Sequence, residues 1–237
     1  MLLVMHPALE RCISPAERRS LEGRRVTAVE RRGKHQLIRL DDGRVIHVHF
    51  RMAGDWDVGR ASDPPPRHAR ALLTFTDGQR VALVDSRALC TLALHPSVEA
   101  ALPELGPEAT DPGLTPARLG DSLARRRGAI KPVLLDQRVV AGLGNIYAAE
   151  ALWHARISPL APASSLSARR LERLLEGMRA VLTAADSDAG RYSRGEGVER
   201  LVVYGREGGP CERCGRAIRR IVQAGRSTFY CPHCQRR

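Results

Sequence analysis

Residues 211–234 open on Cys211-Glu212-Arg213-Cys214 and close on Cys231-Pro232-His233-Cys234, with sixteen residues between the two pairs. Four thiolates at this spacing can surround one Zn²⁺ as a closed tetrahedron. So short a spacer suits a β-hairpin whose two ends each offer a knuckle. Two disulfides are the competing use of four cysteines. The sequence shows no secretory signal and no apolar run long enough to cross a membrane, so an oxidising compartment is not expected. His233 stands inside the second knuckle and could replace a cysteine. The regular pair spacing favours Cys211, Cys214, Cys231 and Cys234 as ligands of one structural zinc, which builds the hairpin and performs no chemistry. Cys12 and Cys90 fall outside the pattern and read as ordinary thiols.

Around the cysteines the hairpin is loaded with arginine: Arg213, Arg216, Arg219, Arg220 and Arg226. Residues 200–237 hold nine Arg and two Glu, so +7 of the chain's net +12 lies in its last sixth. With pI about 10.4, such a balance favours a polyanionic partner, most often nucleic acid. A basic membrane-surface protein would need a basic amphipathic helix with aromatic residues on its apolar side, and none is evident. Only two of the 38 basic residues are lysines, Lys34 and Lys131. Arginine stays protonated, so any Schiff-base chemistry falls to these two or to the α-amine.

Upstream, residues 24–95 read as antiparallel β structure. Leu37–Leu40 and Val45–Phe50 flank Asp41-Asp42-Gly43; Leu72–Phe75 and Val81–Val84 flank Asp77-Gly78. Both are hairpin signals. Three consecutive prolines make residues 62–67 a loop, and the strand spacing suggests a sandwich or barrel. Residues 96–114, rich in Pro and Gly, read as a linker with one helical turn near 97–101. Residues 115–199 read as helical. Thr115 caps a helix expected to run to about Arg127, and Ser167 caps a long one with a core stripe of Leu171, Leu174, Leu175, Met178, Val181 and Leu182. Residues 186–198 are polar and aperiodic and read as a disordered or mobile binding loop. Between the helices, Gly142-Leu143-Gly144-Asn145 opens another helix. Two glycines let a ligand approach closely, and the first N–H groups of a helix attract a phosphate. Asn145 is expected to cap that helix or to bond the phosphate. The expected class is α+β: an antiparallel β-sandwich over 1–95, a linker over 96–114, a helical domain over 115–199 and a zinc hairpin over 200–237.

Gln137-x-x-Val140-Ala141-Gly142-Leu143-Gly144-Asn145-Ile146-Tyr147-Ala148-x-Glu150-Ala151-Leu152 resembles the helix–two-turn–helix signature of the formamidopyrimidine-DNA glycosylase and endonuclease VIII family. Val203-Tyr204-Gly205-Arg206 followed by the four cysteines is similar to that family's zinc finger. Arg31-Arg32-Gly33-Lys34 followed by His49-x-x-Met52-x-Gly54 is similar to its β-domain. The resemblance spans residues 20–237 in order. It implies an enzyme that flips a damaged nucleotide out of duplex DNA, excises the oxidised base and cleaves the abasic strand. It implies that Lys34, His49, Asn145 and Arg226 grip phosphates, that Met52, Arg87 and Leu89 fill the gap in the base stack, that residues 186–198 cover the damaged base, and that Glu150 lies near the active-site floor. Damaged double-stranded DNA is the expected partner, the monomer the expected state, and the cytoplasm, on the nucleoid, the expected place.

The sequence departs from the family at three points. Family members begin Met-Pro-Glu, with the Pro as nucleophile; this sequence begins Met1-Leu2-Leu3-Val4-Met5-His6-Pro7. The favoured explanation is a coding sequence that begins upstream. The alternative is a catalytically dead relative that binds damaged DNA, with any residual lyase activity resting on Lys34. An RNA-binding protein is the third reading, disfavoured by the placement of Met52 and Arg226. Asp85-Ser86-Arg87-Ala88-Leu89 replaces a motif that carries a further cation and an aromatic wedge. Arg51 stands where the family has a glycine before Met52.

Overall fold

Both hairpin signals turn as expected, with Gly43 at φ 85° and Gly78 at φ 81°. The computed structural model describes residues 1–187 and 201–236. The chain forms two compact units, Met1–Pro103 and Glu104–Arg237.

The first unit contains β1 (Leu2–Val4), the short helices α1 (Pro7–Glu10) and α2 (Pro15–Ser20), strands β2 (Val26–Arg32), β3 (His35–Leu40), β4 (Val45–His49), β5 (Gly54–Arg60), β6 (Ala69–Thr74), β7 (Gln79–Asp85) and β8 (Thr91–His95), and α3 (Val98–Ala101). The strands make two antiparallel four-stranded sheets, ordered β1-β6-β7-β5 and β2-β3-β4-β8. The architecture is therefore a sandwich. Leu2, Val4, Leu73 and Leu83 from one sheet meet Ile38, Leu40, Ile46, Val48 and Leu92 from the other in a shared core. Alternating positions along β3 and β4 supply that face, as period-2 geometry requires.

Two strands escape sequence reading. β5, Gly-Asp-Trp-Asp-Val-Gly-Arg, has poor strand propensity, yet pairs with β7 along its whole length, from Gly54↔Asp85 to Arg60↔Gln79. β8 is short and held by β4, His49↔Thr91 to Val45↔His95. The proline loop is pinned from outside its own sequence: the buried Arg80 guanidinium donates to Pro64 O (2.9 Å) and to Asp57 Oδ1 (2.9 Å). The division between the two units falls within the 96–114 stretch, whose two ends pack on different cores. Val98, Ala101 and Leu102 pack on Leu37 and Val45 of the first unit, while Ala109 and Leu114 lie in the core of the second.

The second unit contains α4 (Pro116–Ala124), α5 (Ile130–Leu134), α6 (Asn145–His154), α7 (Ala168–Ser187), β9 (Arg219–Gln223) and β10 (Arg226–Tyr230). The Thr115 hydroxyl accepts the Arg118 N–H at 3.2 Å, as a cap should. This helix stops at Ala124, earlier than expected, because Arg125 leaves helical geometry (φ −91°, ψ 4°). Arg126 then turns to Asp136 (2.9 Å). The predicted stripe of α7 is core: Leu171, Leu174, Leu175 and Met178 are buried with Leu119, Leu123 and Leu152. Asp186 and Ser187 belong to the backbone of α7, not to a loop; the rest of the stretch read as a binding loop lies outside the described residues.

Candidate nucleic-acid interface

In the first unit Lys34, half-buried, stands on the two-residue turn between β2 and β3, after Gly33 at φ 59°. His49 ends β4, directly opposite His35. The chain then reverses sharply. The Arg51 N–H donates to His49 Nδ1 (2.9 Å) and the Gly54 N–H to Phe50 O (3.0 Å). A Cβ at Gly54 would stand 2.7 Å from Phe50 O, so the turn admits only glycine. Met52 sits at its tip with 73% of its surface exposed.

A second loop meets it. Asp85, at the end of β7, is buried, and its carboxylate accepts three backbone N–H groups: Arg87 at 2.9 Å, Leu89 at 2.7 Å and Cys90 at 2.7 Å. Burial raises the Asp85 pKa; the three donors outweigh burial and hold the carboxyl below its ordinary range. Burial, then the neighbouring carboxylate, push the Cys90 thiol up to about 12, which leaves it inert. From this loop the Arg87 guanidinium reaches Met52 Sδ at 3.3 Å, and Leu89 stands 44% exposed. Met52 from one loop and Arg87 and Leu89 from another thus form one exposed feature, apolar at two points and cationic at the third. Arg51 (φ 58°) and Ala88 (φ 52°) both take the left-handed conformation, at a cost of about 1 kcal/mol each. The family's glycine before Met52 would adopt it freely.

In the second unit the turns between α5 and α6 are braced by Gln137. Its side chain accepts the Gly142 N–H (2.9 Å) and donates to Leu143 O (3.0 Å), with Gly142 at φ 91°. Gly144 occupies the N-cap and offers no side chain, so the first N–H groups of α6 receive no side-chain cap. The expected capping role of Asn145 is therefore incorrect: Asn145 is the first helical residue and turns its side chain elsewhere. Its Oδ1 accepts from Lys131 Nζ (2.5 Å), and its Nδ2 donates to Tyr204 Oη (3.2 Å) and Ser227 O (3.0 Å). Lys131 is 1% exposed and spends its remaining donors on Thr228 Oγ1 (2.8 Å) and Ser227 O (3.2 Å). Burial, then the Arg226 charge, lower its pKa to about 8. Arg226 itself opens β10 just after the Ala224-Gly225 turn and is exposed. Asn145 and Arg226 are thereby brought into one neighbourhood through Ser227.

Sequence reading noted Lys131 only as a cation and as a possible amine. The available signal was its rarity: in an arginine-rich chain a lysine marks a place where a compact point charge fits and a planar fork does not. Lys131→Met keeps the stem and removes the three donors. Urea unfolding should show the second unit destabilised by about 2–4 kcal/mol; an unchanged midpoint would refute the network's structural weight.

Glu150 is buried, and its carboxylate accepts the backbone N–H groups of Val202 (2.9 Å), Val203 (3.0 Å) and Tyr204 (2.9 Å). It anchors the segment that leads into the hairpin, from which Tyr204 reaches Asn145.

The four cysteine Sγ atoms lie within 4.8 Å of one another, the only such group among the described residues, and His233 is not in it. Zn–S bonds of about 2.3 Å in a tetrahedron need sulfurs about 3.8 Å apart; Cys214 Sγ and Cys231 Sγ stand at 3.5 Å. The set fits one structural zinc. Cys211 and Cys231 share an apolar cluster with Trp153, Val203, Ile218 and Phe229. Arg213 stacks on the Trp153 ring at 3.5 Å, which ties the first knuckle to α6.

Three family profiles match the chain in order: the formamidopyrimidine-DNA glycosylase N-terminal domain over residues 3–92, the H2TH domain of the same enzyme over 105–193, and the zinc finger found in FPG and IleRS over 208–237. The formamidopyrimidine-DNA glycosylase of Roseiflexus sp. (strain RS-1) is 43% identical over 227 residues, 91% of this chain and 83% of that protein. That of Geobacillus kaustophilus is 41% identical, covering 90% and 82%. Among solved structures, MutM in complex with DNA containing carbocyclic 8-oxo-G superposes with a TM-score of 0.89 at 30% identity. The Lactococcus lactis FPG bound to FAPY-dG DNA gives 0.90, also at 30%. In both, the match covers all of this chain and 91% of the other.

Proposed function

The chain belongs to the formamidopyrimidine-DNA glycosylase family, and from that premise we propose how its residues serve the reaction. It is a DNA-repair glycosylase and abasic-site lyase that excises oxidised bases from duplex DNA, with 8-oxoguanine and formamidopyrimidine lesions as the substrates that its relatives' complexes favour. The observation that carries this reading is the exposed feature of the first unit, in which Arg87 touches Met52 and Leu89 stands exposed on the loop shaped by Asp85. Single exposed apolar residues are ordinary, but an exposed thioether and an exposed leucine set beside a guanidinium at the tips of two adjoining loops suit a wedge entering the space a flipped nucleotide leaves. Leu89, smaller than an aromatic wedge, lowers discrimination at the orphan base.

Lys34 and His49 hold the phosphates on the β side; Asn145 and Arg226 hold them on the helical side, where the uncapped N-terminus of α6 offers further donors to an anion. Asn145 does so by exchanging its longer Nδ2 bond, the 3.2 Å contact with Tyr204 Oη, for a phosphate oxygen. Any Schiff-base formation by a side chain with the aldehyde of an abasic sugar falls to Lys34, because Lys131 is fully buried; a Lys34 paired with a phosphate stays protonated, so this lyase activity is weak. The protein works as a monomer, in the cytoplasm on the nucleoid.

Borohydride trapping of the zinc-loaded chain on a duplex with one abasic site tests the assignment, with Lys34→Ala alongside. A covalent complex absent from Lys34→Ala is the expected result. Equal trapping of both proteins would move the nucleophile elsewhere. Tight binding without any complex would make the chain a damaged-DNA-binding relative without lyase chemistry.

A further inference from the structure

The β2-β3-β4-β8 sheet turns one face to the sandwich core through Ile38, Leu40, Ile46 and Val48. Period-2 alternation puts His35, His47 and His49 on the opposite face, with Leu37 and Val45. There the imidazoles gather. His35 stacks on His47 with ring centroids 5.0 Å apart and planes 22° apart; His49 meets His35 edge-on at 4.9 Å, and His95 of β8 meets His47 at 5.7 Å. His35 Nδ1 and His47 Nε2 lie 2.7 Å apart. Four imidazoles on one patch are far more than a sheet surface needs for packing, and the DNA reading uses only His49.

We propose that His35 and His47 form a chelate for one borderline divalent transition-metal ion, separate from the four-cysteine zinc. The two nitrogens already lie 2.7 Å apart across strands. Metal bonds of about 2.0–2.1 Å need them about 3 Å apart, with each ring turned in place so that the two lone pairs converge on the ion rather than on each other. The proton now shared between the rings moves to the outer nitrogen of its own ring, so both imidazoles stay neutral and no net charge is released. Water completes the coordination. His49 is the nearest third imidazole, but its Nδ1 is engaged by the Arg51 N–H, so it joins only if that bond is given up. Imidazole ligands select ions such as Ni²⁺, Cu²⁺ and Zn²⁺ over Mg²⁺ and Ca²⁺.

Burial lowers the pKa of His35, and burial followed by the neighbouring imidazole charges takes His47 to about 4, so both rings are neutral at neutral pH and protons compete weakly with a metal. The charges facing the two rings are Arg32, Lys34 and Arg51, with His95 beside His47; being cationic they oppose a dication, which sets the affinity well below that of the four-thiolate site.

Ni²⁺ is the probe, titrated calorimetrically at pH 7.5 into the full chain with its finger zinc loaded and monitored. The expected result is one Ni²⁺ per chain with Kd in the micromolar range, at least tenfold weaker in His47→Ala and in His35→Ala and unchanged in His68→Asn. In the wild-type chain, which removes any question of folding, paramagnetic Ni²⁺ should broaden the ring signals of His35 and His47 first. Equal Ni²⁺ affinity in all four proteins, release of finger zinc in proportion to added Ni²⁺, or broadening that begins at His6 or His68 would each overturn the proposal.

Discussion

Stripping zinc from the four cysteines is expected to unfold the hairpin and abolish tight DNA binding, while the sandwich unit keeps its own transition. A two-stranded hairpin of five-residue strands is marginal in water, and β9 and β10 have only each other as sheet partners. In comparable fingers the metal contributes about 10–16 kcal/mol of apparent free energy at neutral pH. Two knuckle cysteines are part of the cluster that includes Trp153 and Phe229, so loss of the ion opens that core to water. The loss then spreads: with β10 disordered, Ser227 and Thr228 no longer receive the Lys131 ammonium, and Arg226 has no fixed position. Chelation under metal analysis, with Trp fluorescence and fluorescence-anisotropy binding to an abasic duplex, measures this. Affinity should fall by at least a hundredfold and return with added Zn²⁺. Cys231→Ser should behave likewise without chelator. Undiminished affinity in a chain shown to be metal-free would refute it.

Asp85→Ala should be the most damaging single change in the sandwich unit. It strips acceptors from three backbone donors, the N–H groups of Arg87, Leu89 and Cys90, the last of them buried. At about 1–3 kcal/mol for each orphaned partner of a charged group, partly relieved by water at the exposed end, a loss of about 3 kcal/mol or more follows. The loop that holds Arg87 against Met52 loses its shape, so affinity for an abasic duplex should drop at least tenfold. Asp85→Asn, which keeps one acceptor oxygen but turns an amide toward an N–H group, should fall between. The pH dependence has a definite sign. The folded carboxyl sits below its ordinary pKa, so its contribution is present above about 4, the unfolded value. It disappears as the pH falls through the lower, folded value. Wild type should therefore lose its advantage over Asp85→Ala on acidification below pH 4. A constant difference between the two proteins from pH 7 to 3 would contradict the assignment.

The cysteine spacing, the two Asp-Gly turns and the leucine stripe of α7 were legible because each is a local pattern whose chemistry is complete within a few residues. β5 was not, since its Gly and Asp residues argue against a strand until β7 lies alongside. The capping role expected of Asn145 failed for a related reason. At a helix start an asparagine is a good cap, and only the arrival of Lys131, Tyr204 and Ser227 from three other segments gives its side chain better partners. Glu150 likewise carries no sign in sequence that three backbone N–H groups some fifty residues away will surround it.

By itself, then, the order of residues determined the metal, the polyanionic partner, the α+β class and the family, all of which rest on short-range spacing and net charge. The tertiary structure alone decided which polar groups are satisfied by the protein and which remain for a ligand. It buried Lys131 and left Arg226 outside, closed Glu150 into the backbone, and set Arg87 against Met52. Burial and hydrogen-bond saturation are properties of surroundings, and those surroundings exist only after distant segments have packed.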